Sequence, residues 1–503
     1  MTPARVLTAT ILILCLVLSL CACAQVPPAT EPTDNTDPST VPTTTPSEPT
    51  AGPTTPSTEP PPSPELLYYS AQDYVDHLTE LAMEYTVEAT KVFGRDTYRE
   101  FYDGTAFYVD LGSDNMEALI IENFTSGGYT TQYYESYRNG SGWSRVNNSS
   151  FRCPMTIENF LGRQIPALLL EQSLYTSLDA QRTSYGFLLT FSGADQLESW
   201  VITTTEATMI SASGTLELDA QGNLLSGTYH AEYMLGDTPY TLDVSVDITQ
   251  TEAVDFTTLQ PVYPENAPTV ENLEILKYLL RTVGSVYAAP NMSVDCTDTV
   301  KSQAMGQTRQ QISGYHLYGG SENLMAGLNT QVTVTDSIGN TSSNRQNGVF
   351  RDGQYTYSYN GGSTMTDASI TSEKIRTALE DSILSALITP SYISNAQITD
   401  YGQQLVINFD GNDQLADSLC RNIYSLFKVD LDAFAESFSR GHITAHLTID
   451  KSTGLPVAMG ISLSRSHTIK GVTYQLSYEL SQTISFSAAK SYESITGEPY
   501  IAE

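Results

Sequence analysis

Thr241-Leu242-Asp243-Val244-Ser245-Val246-Asp247-Ile248 places a polar residue between every pair of apolar ones. His442-Ile443-Thr444-Ala445-His446-Leu447-Thr448-Ile449 does the same much later in the chain. Successive side chains of a strand point to opposite faces, so each stretch describes a strand with one apolar and one wet face. Strands of this kind make antiparallel sheets joined by hairpins, and the apolar face has to be covered. Neighbouring segments agree. Ala220-Gln221-Gly222-Asn223 and Lys451-Ser452-Thr453-Gly454 are turn sequences, while Phe107, Val109 and Leu111, like Tyr355, Tyr357 and Tyr359, alternate along earlier strands.

The two stretches belong to a longer repetition. Tyr137-Arg138-Asn139-Gly140 answers Phe350-Arg351-Asp352-Gly353, and Phe191-Ser192-Gly193-Ala194-Asp195-Gln196-Leu197 answers Phe409-Asp410-Gly411-Asn412-Asp413-Gln414-Leu415. Leu216-Glu217-Leu218-Asp219 answers Leu447-Thr448-Ile449-Asp450, with Leu224 and Leu455 following at the same spacing. Three blocks in the same order, with separations that only grow, describe two copies of one unit. Each copy opens with an apolar helical pattern: Val75, Leu78, Leu81, Ala82 and Tyr85 behind Ser70, then Leu273, Leu276, Leu279, Leu280 and Val283. A second helix is predicted mid-unit, over Thr156–Leu174 and Thr371–Leu387. The fold expected is therefore α+β: two tandem copies of a curved, half-barrel-like antiparallel sheet with covering helices, at residues 65–265 and 266–503.

What precedes the first copy has a different character. Arg5 is followed by the apolar stretch Val6–Leu20, too short for a comfortable membrane span and laid out as a secretory signal peptide over residues 1–22. Leu20-Cys21-Ala22-Cys23 resembles the lipobox of bacterial lipoproteins, which implies acylation at Cys23, with Cys21 the second choice. An ordinary secreted protein cut near Ala22 or Ala24 is the competing reading. The rest of the segment 23–64 holds 13 of the chain's 24 prolines and neither Lys nor Arg. Such a stretch cannot bury a core, so it is expected to be a disordered, semi-stiff tether.

Composition removes several classes of function. With 24 Lys+Arg against 57 Asp+Glu the formal charge is −33, and such a surface repels nucleic acid and anionic lipid headgroups. Setting aside the signal region leaves Cys153, Cys296 and Cys420, too few and too odd for a disulfide framework. Cys296 and Cys420 either pair or are buried thiols. Pieces reminiscent of penicillin-recognising enzymes occur at Ser113-Asp114-Asn115, Lys451-Ser452-Thr453-Gly454 and Ser487-Ala488-Ala489-Lys490, but in inverted order. His442 and His446 share a strand face without the flanking ligands a metal requires. No catalytic residue, metal or cofactor is expected, and the 31 tyrosines read mainly as half-buried strand residues.

Helix, strand meander, mid-unit helix and long amphipathic hairpins behind a lipobox resemble, in element order alone, the half-barrel lipoproteins of the LolA/LolB carrier type and the LppX/LprG lipid-binding type. The resemblance implies a curved sheet closed over a cavity that holds acyl chains. On that basis the second copy is the better pocket. Its candidate ligand-binding residues are Ile443, Leu447, Ile449, Ile461, Leu463, Leu476 and Leu480, with the leucine-rich helix at Leu273–Val283 as lid. The expected function is a lipoprotein on the outer face of the cytoplasmic membrane that binds an apolar or lipid ligand. The alternative is a structural or interaction protein of the cell envelope whose apolar faces are simply core.

Overall fold

A computed structural model describes residues 61–93, 96–146, 149–161, 176–193, 207–259, 261–287, 293–318, 324–377, 393–413, 415–417, 419–420, 437–438, 442–469 and 471–487. The signal region, Cys23 and nearly all of the tether lie outside them. Helix α1 (Pro64–Asp76) starts where local chemistry dictates: the Ser63 hydroxyl accepts from the Leu66 amide at 3.3 Å, and proline sits in the first turn. Ser70, behind which the helical pattern was expected to begin, lies inside the helix, which ends well before Leu81, Ala82 and Tyr85. Those three belong to strand β1 (Glu80–Phe93), where Met83, Tyr85, Val87 and Ala89 alternate. Over Val75–Tyr85 the helical and strand patterns overlap, and the strand alternation, which runs on to Ala89, wins.

From β1 the chain meanders through β2 (Asp96–Val109), β3 (Glu117–Ser126), β4 (Tyr129–Arg138), β5 (Ser141–Val146) and β6 (Ser149–Pro154). After the short helix α2 (Ile157–Leu161) come β7 (Ser177–Arg182), β8 (Gly186–Ser192), β9 (Ala207–Asp219), β10 (Leu224–Leu235) and β11 (Thr238–Gln250). Helices α3 (Phe256–Leu259) and α4 (Ile275–Tyr287) lead into the second set. That set runs β12 (Ser293–Ala304), β13 (Gln307–Tyr318), β14 (Met325–Thr335), β15 (Thr341–Arg351), β16 (Gln354–Tyr359), β17 (Met365–Asp367), β18 (Ile393–Asp400) and β19 (Gln404–Gly411). It finishes with β20 (Ser437–Phe438), β21 (His442–Asp450), β22 (Pro456–Ile469) and β23 (Val472–Ser487). The predicted mid-unit helices are helical at Ile157–Leu161 and at 372–377, and their remainders lie outside the described residues.

The strands form two antiparallel sheets of the same topology. The first runs β6-β5-β4-β3-β2-β1-β11-β10-β9-β8-β7, the second β17-β16-β15-β14-β13-β12-β23-β22-β21-β19-β18, with β20 paired to β22. In each, the first and last strands of the set pair at the centre, so two meanders spread outward from one seam. Neither path closes into a barrel among the described residues. Phe191 lies on β8 and Phe409 on β19, which hold equivalent places; Asp219 ends β9 and Asp450 ends β21. The β4–β5 turn has φ 49° at Asn139 and 72° at Gly140, and the β15–β16 turn has 51° at Asp352 and 73° at Gly353. Two consecutive positive values define the hairpin turn that Asn-Gly and Asp-Gly favour. Among the described residues the structure is mostly β, with few helices over the sheets.

The connection between the sheets wraps the edge of the first. Leu259 and Val262 lie on its outer face beside Leu119, Ile121 and Trp143, around a cavity of about 40 Å³, room for a water or two. Trp143 Nε1 donates to the Pro264 carbonyl at 3.3 Å and its ring meets Tyr263 edge-on. The backbone then lies alongside β6, Arg152 N to Pro268 O at 2.9 Å and Val270 N to Arg152 O at 2.8 Å. Val270 also bridges Ala396 of β18, so this short segment pairs with an edge strand of each sheet and leaves neither edge bare there.

Candidate functional site

Cross-strand partners share a face, so the registers identify the inner face of each sheet. On the first sheet it carries Tyr85, Val87, Ala89 and Lys91 of β1, Glu100 and Tyr102 of β2, Ile120, Glu122 and Phe124 of β3, and Tyr133 and Glu135 of β4. All are buried, including the three acids. The alternating set Phe107 and Val109 read from sequence belongs to the opposite face and is only half buried, while Ala106 and Tyr108 point inward.

Helix α4 covers these acids. It is buried nearly all round, as expected of a helix enclosed by protein on every side. Lys277, Arg281 and Ser285, one helical turn apart, face the first sheet. Arg281 donates to Glu100 Oε2 from Nε at 3.1 Å and from Nη2 at 2.9 Å. Lys277 pairs with Glu122 at 3.3 Å, and the Tyr85 hydroxyl donates to the same carboxylate at 2.8 Å. Burial pushes the Glu100 carboxyl up, but Arg281 and Lys91 outweigh it and hold it below the usual carboxylate range. Burial likewise pushes Lys91 down, against the pull of Glu100. At Gly284 a Cβ would stand 2.8 Å from Phe124 and Ser126, so glycine is what lets the helix lie this close.

The expectation that this helix is a lid on the second copy is therefore corrected: it fills the inner face of the first sheet. Its other side joins the second sheet in one core that includes Leu279, Val283, Leu405, Ile407, Leu447, Ile449 and Leu455. The β21–β22 turn follows it inward. Tyr240 donates to the Ser452 carbonyl, and Lys91 reaches both Ser285 and the Thr453 carbonyl. Lys451 is buried against Asp400 at 3.0 Å, which gives this turn a structural role. Helix α1 covers the other wing, burying Leu67, Tyr68 and Ala71 over β7, β8 and β10.

The seven candidate ligand-binding residues all lie on the inner face of the second sheet, as the pairings Ile443 with Leu463 and Ile461 with Leu480 require. They do not form one open surface. Leu447 and Ile449 belong to the core shared with α4. Ile443, Leu463 and Leu476 pack under helical residues within 413–420, notably Ala416, Leu419 and Cys420. Ile461 touches both groups, and Leu480, half exposed, belongs to neither.

Beyond Leu480 the same face continues through residues sequence reasoning did not select. Val300 pairs with Leu480 and with Gln311, Gln311 with Val332, and Arg309 with Ser302 and Val334. Val300, Val332 and Val334 are half buried and, like Leu480, outside both cores. Among them lies a polar chain: Arg309 Nη2 donates to Gln311 Oε1 at 2.7 Å, and Gln311 Nε2 donates to Ser313 Oγ at 3.1 Å. The cue was present, since Arg309, Gln311, Ser313 and Tyr315 alternate, but polar residues on a strand read as its wet face. Cys153, Cys296 and Cys420 are all buried, and none forms a disulfide among the described residues. Among the described residues no group of three or more His, Cys, Asp or Glu stands close enough to hold a metal.

Fold and face together define a protein of two tandem antiparallel sheets whose inner faces are covered in part by helices. No family model matches the chain, and no curated protein does. Among solved structures it is similar to LprF from Mycobacterium bovis at 12% identity, over 44% of this chain and 96% of that one, with a TM-score of 0.25. It is also similar to the ywiB protein from Bacillus subtilis at 9% identity, over 34% and 94%, with a TM-score of 0.14. A putative AttH from Nitrosomonas europaea gives 7%, 86% and 98%, with a TM-score of 0.15. These are distant likenesses, and at such scores they carry no argument about function.

Proposed function

We propose that the chain is a lipoprotein, anchored through Cys23 to the outer face of the cytoplasmic membrane, that binds an apolar or lipid ligand on the inner face of its second sheet. One observation carries this reading: Val300, Val332, Val334 and Leu480 line up on an inner face yet join neither core among the described residues. Apolar area left in that position is stabilised when a ligand removes it from water, at roughly 25 cal/mol per Å², so an acyl chain would contribute several kcal/mol before ordering costs. The seven residues named from sequence then divide. Leu480 and Ile461 border the ligand, while Ile443, Leu447, Ile449, Leu463 and Leu476 form the wall behind it. The alternative, a structural or interaction protein of the envelope, is favoured for the first sheet alone, whose inner face α4 fills with protein side chains.

Native mass spectrometry of the protein purified from membranes tests the reading. A lipid-sized adduct beyond the anchor, lost in Leu480→Arg, is the expected result. A bare protein mass in every preparation would transfer the second sheet to the structural reading as well.

A further inference from the structure

In a chain with 57 acids against 24 Lys+Arg, the other buried cations among the described residues each face a carboxylate, Lys91 sharing Glu100 with Arg281. Arg281 has Glu100, Lys277 has Glu122, Lys451 has Asp400 and Arg465 has Asp417. Arg309 has none among the described residues, although it is only 6% exposed. Its one side-chain partner is the neutral Gln311. The nearest acid along this face, Asp298, is held by Gln482 Nε2 at 2.8 Å. Burial pushes the Arg309 guanidinium down, with only Tyr478 acting against it. A buried, unpaired cation is strongly unfavourable, and an arginine cannot relieve that by losing its proton near neutral pH.

Its place on the sheet is equally specific. Arg309 lies close to the β12–β13 turn, next to Val334, and the neighbouring row holds Val300, Leu480 and Val332. The β14–β15 and β22–β23 turns open at the same end of the sheet. Both present apolar tips: Ile338 is 83% exposed and Val472 52% exposed.

We infer that the inner face of the second sheet takes an amphiphile by its anionic head, which pairs with Arg309 while the chain lies along Val334, Val332, Val300 and Leu480. This rests on the apolar-ligand reading above and adds to it the charge of the ligand. The head supplies the missing counter-charge, and the planar guanidinium suits a carboxylate or phosphate held by two donors. Gln311 and Ser313 line the same side and provide further polar contacts. The exposed tips at this end mark the side from which an amphiphile leaves a lipid phase.

Fluorescence titration of the mature chain with cis-parinaric acid and with its uncharged methyl ester separates head from chain. The acid is expected to bind about tenfold or more tightly than the ester. Arg309→Gln should abolish that preference while leaving ester binding unchanged, and Arg309→Lys should retain most of it. Should the Gln variant fail to fold, the acid-to-ester ratio of the unaltered and Lys proteins carries the test alone. Equal binding of acid and ester would overturn the anionic-head inference and leave the apolar-ligand reading standing. Binding of neither would remove both. Displacement of the acid by inorganic phosphate at comparable concentration would assign Arg309 to a free anion and overturn the amphiphile.

Discussion

Replacing Arg281 with methionine tests what holds α4 against the first sheet. The Arg281 and Glu100 side chains are 5% and 4% exposed, and the arginine makes two hydrogen bonds to one carboxylate oxygen. Breaking a buried pair by removing one partner costs about 3–5 kcal/mol, because the survivor is left charged in a poor solvent. Lys91, 3.5 Å from the other carboxylate oxygen, still screens Glu100, so the lower end, about 3 kcal/mol, is expected. Replacing both partners, Arg281→Met with Glu100→Gln, should recover roughly 2 of those 3 kcal/mol, since no buried carboxylate is then left without its arginine. Urea unfolding reports this through Trp143, which is 7% exposed on β5 and adjoins the linker leading to α4. The pair also predicts a pH dependence. Because the folded carboxyl is held low, its contribution is full above the unfolded value near 4.5 and is lost as pH falls through the folded value. Glu100→Gln should remove that part of the acid transition. If Arg281→Met cost under about 1 kcal/mol and the double variant were no more stable than the single, this network would not be what orients the helix.

Three other outcomes are expected. Cys23→Ala should move the protein from the membrane fraction to the soluble fraction, as read by fractionation and mass spectrometry of the N-terminus. Gly284→Ala should lower stability by about 1–3 kcal/mol in spite of alanine's better helix propensity, because its Cβ meets Phe124 and Ser126; thermal unfolding measures it. Leu480→Arg should leave the unfolding midpoint nearly unchanged while abolishing lipid retention. Leu447→Arg, at a fully buried position, should instead cost several kcal/mol of stability whatever the ligand.

The sheets were legible because their signals are local. Alternation along Leu242–Ile248 and Ile443–Ile449 names a strand and its inner face, and Asn139-Gly140 and Asp352-Gly353 name the turns. The first helix was misplaced where two periods overlap, since Leu78, Leu81 and Tyr85 satisfy a helix while Leu81, Met83 and Tyr85 satisfy a strand. The destination of α4 was not legible at all. Its leucines report that it is buried, but which sheet it serves depends on Lys277 and Arg281 meeting Glu122 and Glu100, residues far away in sequence. Those acids occupy alternating positions that a binary pattern assigns to solvent, and the same rule hid Arg309. Of the candidate residues, alternation shows that they share one sheet face, and their division between core and the rest of that face required the packing.

The helix that completes the first sheet also fixes an order of events as the chain emerges from its N-terminus. All described strands of that sheet are present once Gln250 has emerged, yet Glu100 and Glu122 stay without their covering helix until Ile275–Tyr287 follows. The first half therefore waits, solvated and unlocked, for a segment that begins the second. A protease that cuts in the intervening linker leaves a sheet whose acids face water where a helix belongs. Quality control would then read the two halves as a single unit, present together or not at all.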